Sequence, residues 1–355
     1  MNTNKENIEE ILNREKKSSR QILFLSLTLV LLIISAGSYS IFVGAASLKF
    51  SDLIRVIFEG ERGMIYNIIW NIRLPAILTA LTAGMGLSLA GVVMQSILKN
   101  PLASPFTLGI SHAAAFGAAF AIVVLDISAL PFLSFLDGLY LPALSAFVFS
   151  QLAVIIVLAI SAVQQASRES IVLAGIALSS LFTAGTTALE FFADDLELAS
   201  VIYWTFGDPG RTSWNQFLII LTVLCLSLIY FIYQGWNYGV LNSGDEMAAS
   251  LGLNSRRLRL LAMTVSSVLT AVIISFVGVI GFIGLVTPHM IRKIAAGSQR
   301  QLFLNSALAG GLLLIIADNL SRTLFRPVVL PVGVLTAFLG APLFIYLIAK
   351  GRQIL

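Results

Sequence analysis

Runs of apolar residues too long for a water-soluble core dominate this chain. Ile22 to Ile34, continued more weakly to Val43, and Phe217 to Tyr233 approach the roughly 18 to 20 residues that carry a helix across a bilayer. Of its 355 residues 57% are hydrophobic and only 11% charged, against about 25% charged in an ordinary soluble domain. The fold class is therefore all-α, a polytopic membrane protein. The single Cys225 sits inside an apolar run, so neither a disulfide framework nor a cysteine metal cluster is available. The charged start, followed by an apolar run and SAGSYS, has the outline of a secretory signal. Its first 20 residues are long and mixed in sign, however, and the run is long for a signal core, so a retained first span fits better.

Hydropathy, broken at charges, Pro and Gly, predicts ten segments near 21–42, 68–97, 106–125, 139–163, 170–192, 213–234, 258–277, 279–291, 302–320 and 330–349. The chain thus divides into a tail over 1–20 and a membrane domain over 21–352. The second segment is long enough to be tilted or bent. The eighth covers only about 20 Å at 1.5 Å per residue, so it belongs among neighbouring helices, where broken helices are tolerated. Ten crossings put both termini on one side. Only seven of the 22 Lys and Arg, namely Lys49, Arg55, Arg62, Arg73, Arg211, Arg322 and Arg326, fall on the other side. The excess on the terminal side places the termini in the cytoplasm. The net charge of +4 reflects that asymmetry and gives no reason to expect nucleic acid as a partner. Small residues, as in Gly84-Met85-Gly86 and Gly310-Gly311, suit close helix contact in lipid. Gly91 to Ile97 with Asn100-Pro101 loosely echoes Gly284 to Ile291 with Pro288, which hints at two repeats.

The sequence favours a conduit over an enzyme. His112 and His289 stand at predicted helix ends with no HExxH or paired carboxylate beside them, and read first as structural histidines. Asp318 is the one carboxylate well inside an apolar run. A proton relay would want such a group, but Arg322 lies four residues on, the spacing of an intrahelical ion pair, and pairing is the better reading. No Gly-Lys dipeptide occurs, so the chain has no phosphate-binding GxxxxGK[ST] loop. If ATP energises it, another polypeptide carries the ATPase.

A polar stretch between the sixth and seventh segments, NSGDEMAASLGLNSRR over 242–257, fits a docking element for such a partner and equally a mere interfacial turn joining the two segments. Ser243 with Glu246 has the spacing of a capping box. Gly252 suits the left-handed residue that ends a helix, and Asn254 or Ser255 is placed to cap the next one. The predicted helix is Gly244 to Leu251, about 12 Å long, with Met247, Ala248 and Leu251 on one face.

These residues carry a family resemblance. Gly244 to Leu253 resembles the coupling loop of the FecCD-type permeases, the membrane subunits of ABC importers for ferric siderophores, haem and vitamin B12. Arg73-Leu74-Pro75, Gly91-Val92-Val93-Met94-Gln95 with Asn100-Pro101-Leu102-Ala103-Ser104-Pro105, Gly281 to Arg292, Ala317-Asp318 with Arg322, and Leu330 to Thr336 with Gly340-Ala341-Pro342 agree with it. The resemblance spans about 21–352 and implies a type II ABC importer permease fold. It implies a homodimer or a pair with a sister permease in the inner membrane of a prokaryote. Its partners would be two ABC ATPase subunits and an extracytoplasmic binding protein.

Residue by residue, the resemblance makes Asp245, Glu246, Met247, Leu251 and Gly252 the ATPase-coupling segment, a helix over about 243–252. Arg73 and Arg322 would meet acidic groups of the binding protein, with Arg326 standing in for a second basic residue where this chain has Ala76. Asn100 and Leu102 match a cytoplasmic gate. Arg168 and Glu169, where the family's other gate carries small hydroxyl residues, complete it. The chain would bind no metal or cofactor of its own, ATP and Mg sitting on the partner ATPase. A ferric siderophore is the first expectation for the substrate, cobalamin or haem the second, with a secondary carrier using Asp318 or a membrane enzyme using the histidines further behind.

Overall fold

The computed structural model describes residues 2–44, 48–58, 63–125, 140–163, 168–294, 297–325 and 328–351. In chain order its helices are α1 (Asn2–Phe42), α2 (Phe50–Phe58), α3 (Met64–Asn67), a π-helical stretch over Ile68–Arg73, α4 (Leu74–Leu98), α5 (Ile110–Val123), α6 (Tyr140–Val163), α7 (Arg168–Phe192) and α8 (Asp195–Thr205). There follow α9 (Trp214–Tyr233), α10 (Gly235–Ser243), α11 (Asp245–Ser250), α12 (Ser255–Val277), α13 (Ile283–Ile294), α14 (Gln299–Thr323) and α15 (Val332–Gly351). Among the described residues the only β-type pairing is an isolated bridge between Phe206 and Val279.

Seven of these helical stretches are long and apolar enough to cross a membrane, and Ile110–Val123 and Val332–Tyr346 are shorter apolar helices. With the still shorter α13 they correspond to the ten segments predicted, and several boundaries move. The helix of the first span runs unbroken from Asn2, so Arg20 marks no break in the backbone. The third segment starts at Ile110 instead of 106, because Phe106–Leu108 forms a tight 3₁₀ turn and Gly109 adopts a left-handed φ of 81°. The bend expected in the second span is the π-helical stretch before α4. Pro75, at the start of α4, has no N–H to bond the preceding turn, so the hydrogen-bond ladder widens there.

Helix α4 is the axis of the bundle. It is buried on nearly all sides and packs against α14, α12, α13 and α9. Lipid tails are as apolar as leucine, so helices gain little from hiding apolar surface from each other and must instead approach closely. Glycine makes that approach here: a Cβ on Gly91 would overlap the Gly284 carbonyl of α13, and one on Gly84 would overlap the Gly310 carbonyl of α14. Between these two contacts the buried Ser88 Oγ donates to the Ser306 carbonyl (2.6 Å) and lies 2.5 Å from Thr287 Oγ1. The two segments that echo each other in sequence therefore meet face to face at Gly91 and Gly284.

Gly91→Val should be among the most damaging apolar substitutions in the chain, costing about 3 kcal/mol because backbone opposes the new side chain. Gly239→Ala, with no atom near the added methyl, should leave stability unchanged or raise it by about 0.5–1 kcal/mol. Thermal unfolding of the detergent-solubilised chain measures both.

Candidate functional site: the two ends of the bundle

At one end lies the short helix α11. Its start differs from the capping box expected of Ser243 and Glu246. Ser243 ends α10 and its hydroxyl points back to the Gly239 carbonyl at 3.5 Å. The N-cap is Gly244 at φ 135° and ψ 156°. That extended geometry with positive φ is one a side-chain-bearing residue rarely adopts, so glycine sets the entry angle. Asp245, in the first turn, pairs with Arg259 of α12 and ties the two helices together. The other end matches expectation. Gly252 is left-handed at φ 75°, with Leu253 N–H bonding Ala248 O and Gly252 N–H bonding Ala249 O, both at 2.9 Å, the pattern of a Schellman cap. Asn254 then caps α12 by accepting from Arg257 N–H at 2.9 Å.

The expected shared face of Met247, Ala248 and Leu251 splits in two. Ala248 is 1% exposed and anchors the helix, whereas Met247 and Leu251 are 52% and 51% exposed. An anchored helix thus offers two apolar side chains outward, four residues apart and on one side.

The loop after α4 stands at the same end. Asn100 Oδ1 accepts from Leu102 N–H at 2.9 Å, and Leu102 is exposed. The neighbouring turn packs on α7, where a Cβ on Gly175 would overlap the Thr107 carbonyl. Arg168 and Glu169 are the first residues of α7 instead of loop residues, and their side chains lie outside those described. The structure so brings the Asn100 loop and the first half of α7 together.

At the opposite end the three arginines expected to face a binding protein differ. Arg73 is 3% exposed and donates to the Ile41 carbonyl, with its guanidinium filling the space beside Gly44. In this conformation it presents no charge outward. Arg322 pairs with Asp318 at 2.9 Å (Nη2 to Oδ2) and donates from Nε to Oδ1 at 3.1 Å. Asp318 is 1% exposed, so the pair is the intrahelical one expected from spacing. Arg326 lies outside the described residues.

Sequence reasoning missed Arg211. Its guanidinium donates to the Phe276 carbonyl (3.2 Å), the Trp204 carbonyl (3.1 Å) and the Tyr203 carbonyl (3.5 Å), with the Trp204 ring 5.7 Å away. These are orphan carbonyls at the C-termini of α8 and α12, where a cation also suits both dipoles. Burial lowers the pKa of Arg211, and Asp208 opposes that shift. Gly278, at φ 87°, leaves room for it, since a Cβ there would overlap the guanidinium. The same junction includes Asp208 N–H to Val277 O (2.8 Å) and Gly333 N–H to Gly207 O (3.1 Å). Beside it lies an apolar cavity of about 550 Å³ walled by Phe206, Gly207, Val279, Gly333, Phe338 and Pro342. Only Gly-rich punctuation near 207–210 and 278–281 signalled that the chain breaks here.

The model of the FecCD transport family matches residues 27–350. A protein of Methanocaldococcus jannaschii, provisionally named as an ABC transporter permease, is 45% identical over 94% of this chain and 96% of that protein. The hemin transport system permease of Yersinia pestis is 36% identical over 93% of this chain and 96% of its own length. A solved ABC transporter in an inward-facing conformation, provisionally of metal-chelate type, superposes with a TM-score of 0.78 at 29% identity, covering 93% of this chain and 99% of that one.

Arg322→Leu leaves Asp318 buried without its partner and should destabilise the chain by roughly 3 kcal/mol. Adding Asp318→Asn should recover most of that loss, and a double-mutant cycle on thermal unfolding reads the coupling.

Proposed function

The chain belongs to the FecCD transport family, and on that premise we propose that it is the membrane subunit through which an ABC importer takes up an iron complex, first of all a ferric siderophore. The permease role follows from the family, and with it an ATPase on separate subunits. The observation that carries the reading is α11: a helix capped at both ends by glycine geometry, fixed by Ala248 and the Asp245–Arg259 pair, with Met247 and Leu251 left exposed. A helix of six residues is not stable alone. Its anchoring makes it a rigid lever, through which a partner's movement reaches α12.

In the proposed mechanism two ATPase subunits seat on α11 of two permease copies in a homodimer, with α11 and both termini in the cytoplasm. Closure of the ATPases moves α11 with α10 and α12, and the loop at Asn100–Leu102 opens or closes against α7, where Arg168 and Glu169 lie. A substrate-binding protein delivers its cargo at the other end. There Arg322 and Arg326 are the cations for steering it, a charge effect on orientation and on-rate more than on affinity. Arg73 joins them only if the segment over Ile41–Gly44 moves aside. The apolar, glycine-walled cavity beside Gly207 and Gly333 suits a bulky chelate that passes without being held tightly. Haem or cobalamin uptake is the second reading, supported for haem by the Yersinia pestis relative.

Met247→Asp and Leu251→Asp should each weaken binding of the ATPase by at least about tenfold, since losing one apolar contact of 1.5–3 kcal/mol exceeds the 1.4 kcal/mol of a tenfold change. Membrane insertion and thermal stability should be unchanged. Co-purification of tagged permease with its ATPase measures this, and full retention of the ATPase by both variants would sink the coupling role.

A further inference from the structure

A second polar cavity, of about 260 Å³, lies at the α11 end between the last turn of α4, the end of α10, the last turn of α13 and the start of α14. Its wall includes Lys99, Arg292, Ser96, Asn100, Asn242 and Gln299, and no carboxylate among the described residues. Arg292 is held in place: Nη1 donates to Gln95 Oε1 (2.8 Å) and Nη2 reaches Ser96 Oγ (3.4 Å). Gln95 in turn donates to the Leu285 carbonyl (3.3 Å), and Ser96 Oγ accepts from Gln299 Nε2 (2.7 Å). Gln299 Oε1 accepts from Asn242 Nδ2 at 3.2 Å.

The acceptors that this network offers Arg292 are neutral side-chain oxygens. Of the five guanidinium N–H groups, two are engaged, and Arg292 has no ion-pair partner among the described residues. Its place in the last turn of α13 suits the helix dipole but gives the remaining donors no hydrogen-bond partner among the described residues. Lys99 adds a second cation, with no ion-pair partner among the described residues, and its backbone is left-handed at φ 47° and ψ 38°. Glycine or asparagine ordinarily occupies such a helix-ending position. A lysine there costs conformational energy, and in exchange its side chain lines the same cavity as Arg292.

We propose that this cavity is a binding site for a phosphate group, which Arg292 and Lys99 would clamp from two helices. An arginine fork fits phosphate oxygens in pairs, and charge-assisted hydrogen bonds are the strong kind. The phosphate has two sources of the same chemistry, the headgroup of an anionic lipid, to which basic residues at this level of a membrane are drawn, and free phosphate. Bound there, it joins Lys99 beside the Asn100 loop to Arg292 of α13 and the Asn242 end of α10, one residue short of Ser243 and α11. Resting on the permease reading, the consequence is that the anion tightens the link between the coupling helix and the gate. The binding itself does not depend on that reading.

The test titrates the full-length chain in detergent at about 0.15 M salt with inorganic phosphate and, separately, with dioctanoyl phosphatidylglycerol, counting bound ligand by native mass spectrometry. One ligand per chain is expected. Lys99→Gln, at an exposed position, should weaken it by about tenfold while Lys293→Gln, beside Arg292 but outside the cavity wall, leaves it unchanged. Lipid that excess phosphate does not displace assigns the headgroup. Phosphate that binds as well without lipid assigns the free anion. Equal affinity in the wild-type and Lys99→Gln chains, or equal loss in both variants, overturns the site. Neither transport nor ATP enters the readout, so failure here is distinguishable from failure of the importer reading.

Discussion

Every backbone N–H and C=O at membrane depth must find its partner inside the protein, and the way this chain meets that demand shapes everything else in it. Where helices run unbroken the demand is met internally. Where they break, at 206–212 and 278–282, the freed groups are met by a few specific donors. Arg211 takes carbonyls of Tyr203, Trp204 and Phe276, Asp208 N–H takes Val277 O, and Gly333 N–H takes Gly207 O. One cation and two backbone bonds between segments distant in sequence thereby allow α8, α12, α13 and α15 to meet without a continuous helix among them. The apolar cavity beside Gly207 exists because of those breaks.

The same demand explains the division between a fixed axis and adjustable ends. Around α4 the contacts are glycine on backbone, with Ser88 bonded to α14 and beside Thr287 of α13. Close packing of this kind has little room to yield. Toward the α11 end the contacts change to side-chain amides and charges, Asn242 with Gln299, Gln95 with Arg292 and Asp245 with Arg259. Polar side-chain contacts of this kind have more room to yield than glycine packed on backbone. Rigid seam and polar end together make a lever with a fulcrum, which bears on function more than either feature alone.

Much of the architecture was legible in the sequence, because hydropathy and glycine placement act locally. The ten segments, the bend before α4, the left-handed Gly252, the Asn254 cap and the Asp318–Arg322 pair all follow from spacing along one helix or one turn. The misses share a cause. Ser243 and Glu246 have the spacing of a capping box, yet Gly244 takes the cap, since α10 continues to Ser243 and the positive-φ backbone of Gly244 sets the entry angle of α11. Arg73 reads as a surface charge from its position before Leu74-Pro75, but the end of α1 covers it. Arg211 bonds carbonyls up to 65 residues away in sequence, and no local pattern announces a contact of that kind. The apolar cavity was out of reach of sequence for a related reason: its wall is apolar side chain and glycine backbone, which carries little chemical signature.

The central claim is that a separate ATPase, acting through α11, drives cargo along this chain. Reconstitution into liposomes with the ATPase subunits and a binding protein loaded with a ferric chelate tests it most directly. The account predicts iron accumulation that requires ATP on the α11 side and persists when the proton gradient is collapsed. Uptake by the chain alone, driven by an imposed proton gradient and abolished by Asp318→Asn, would contradict it.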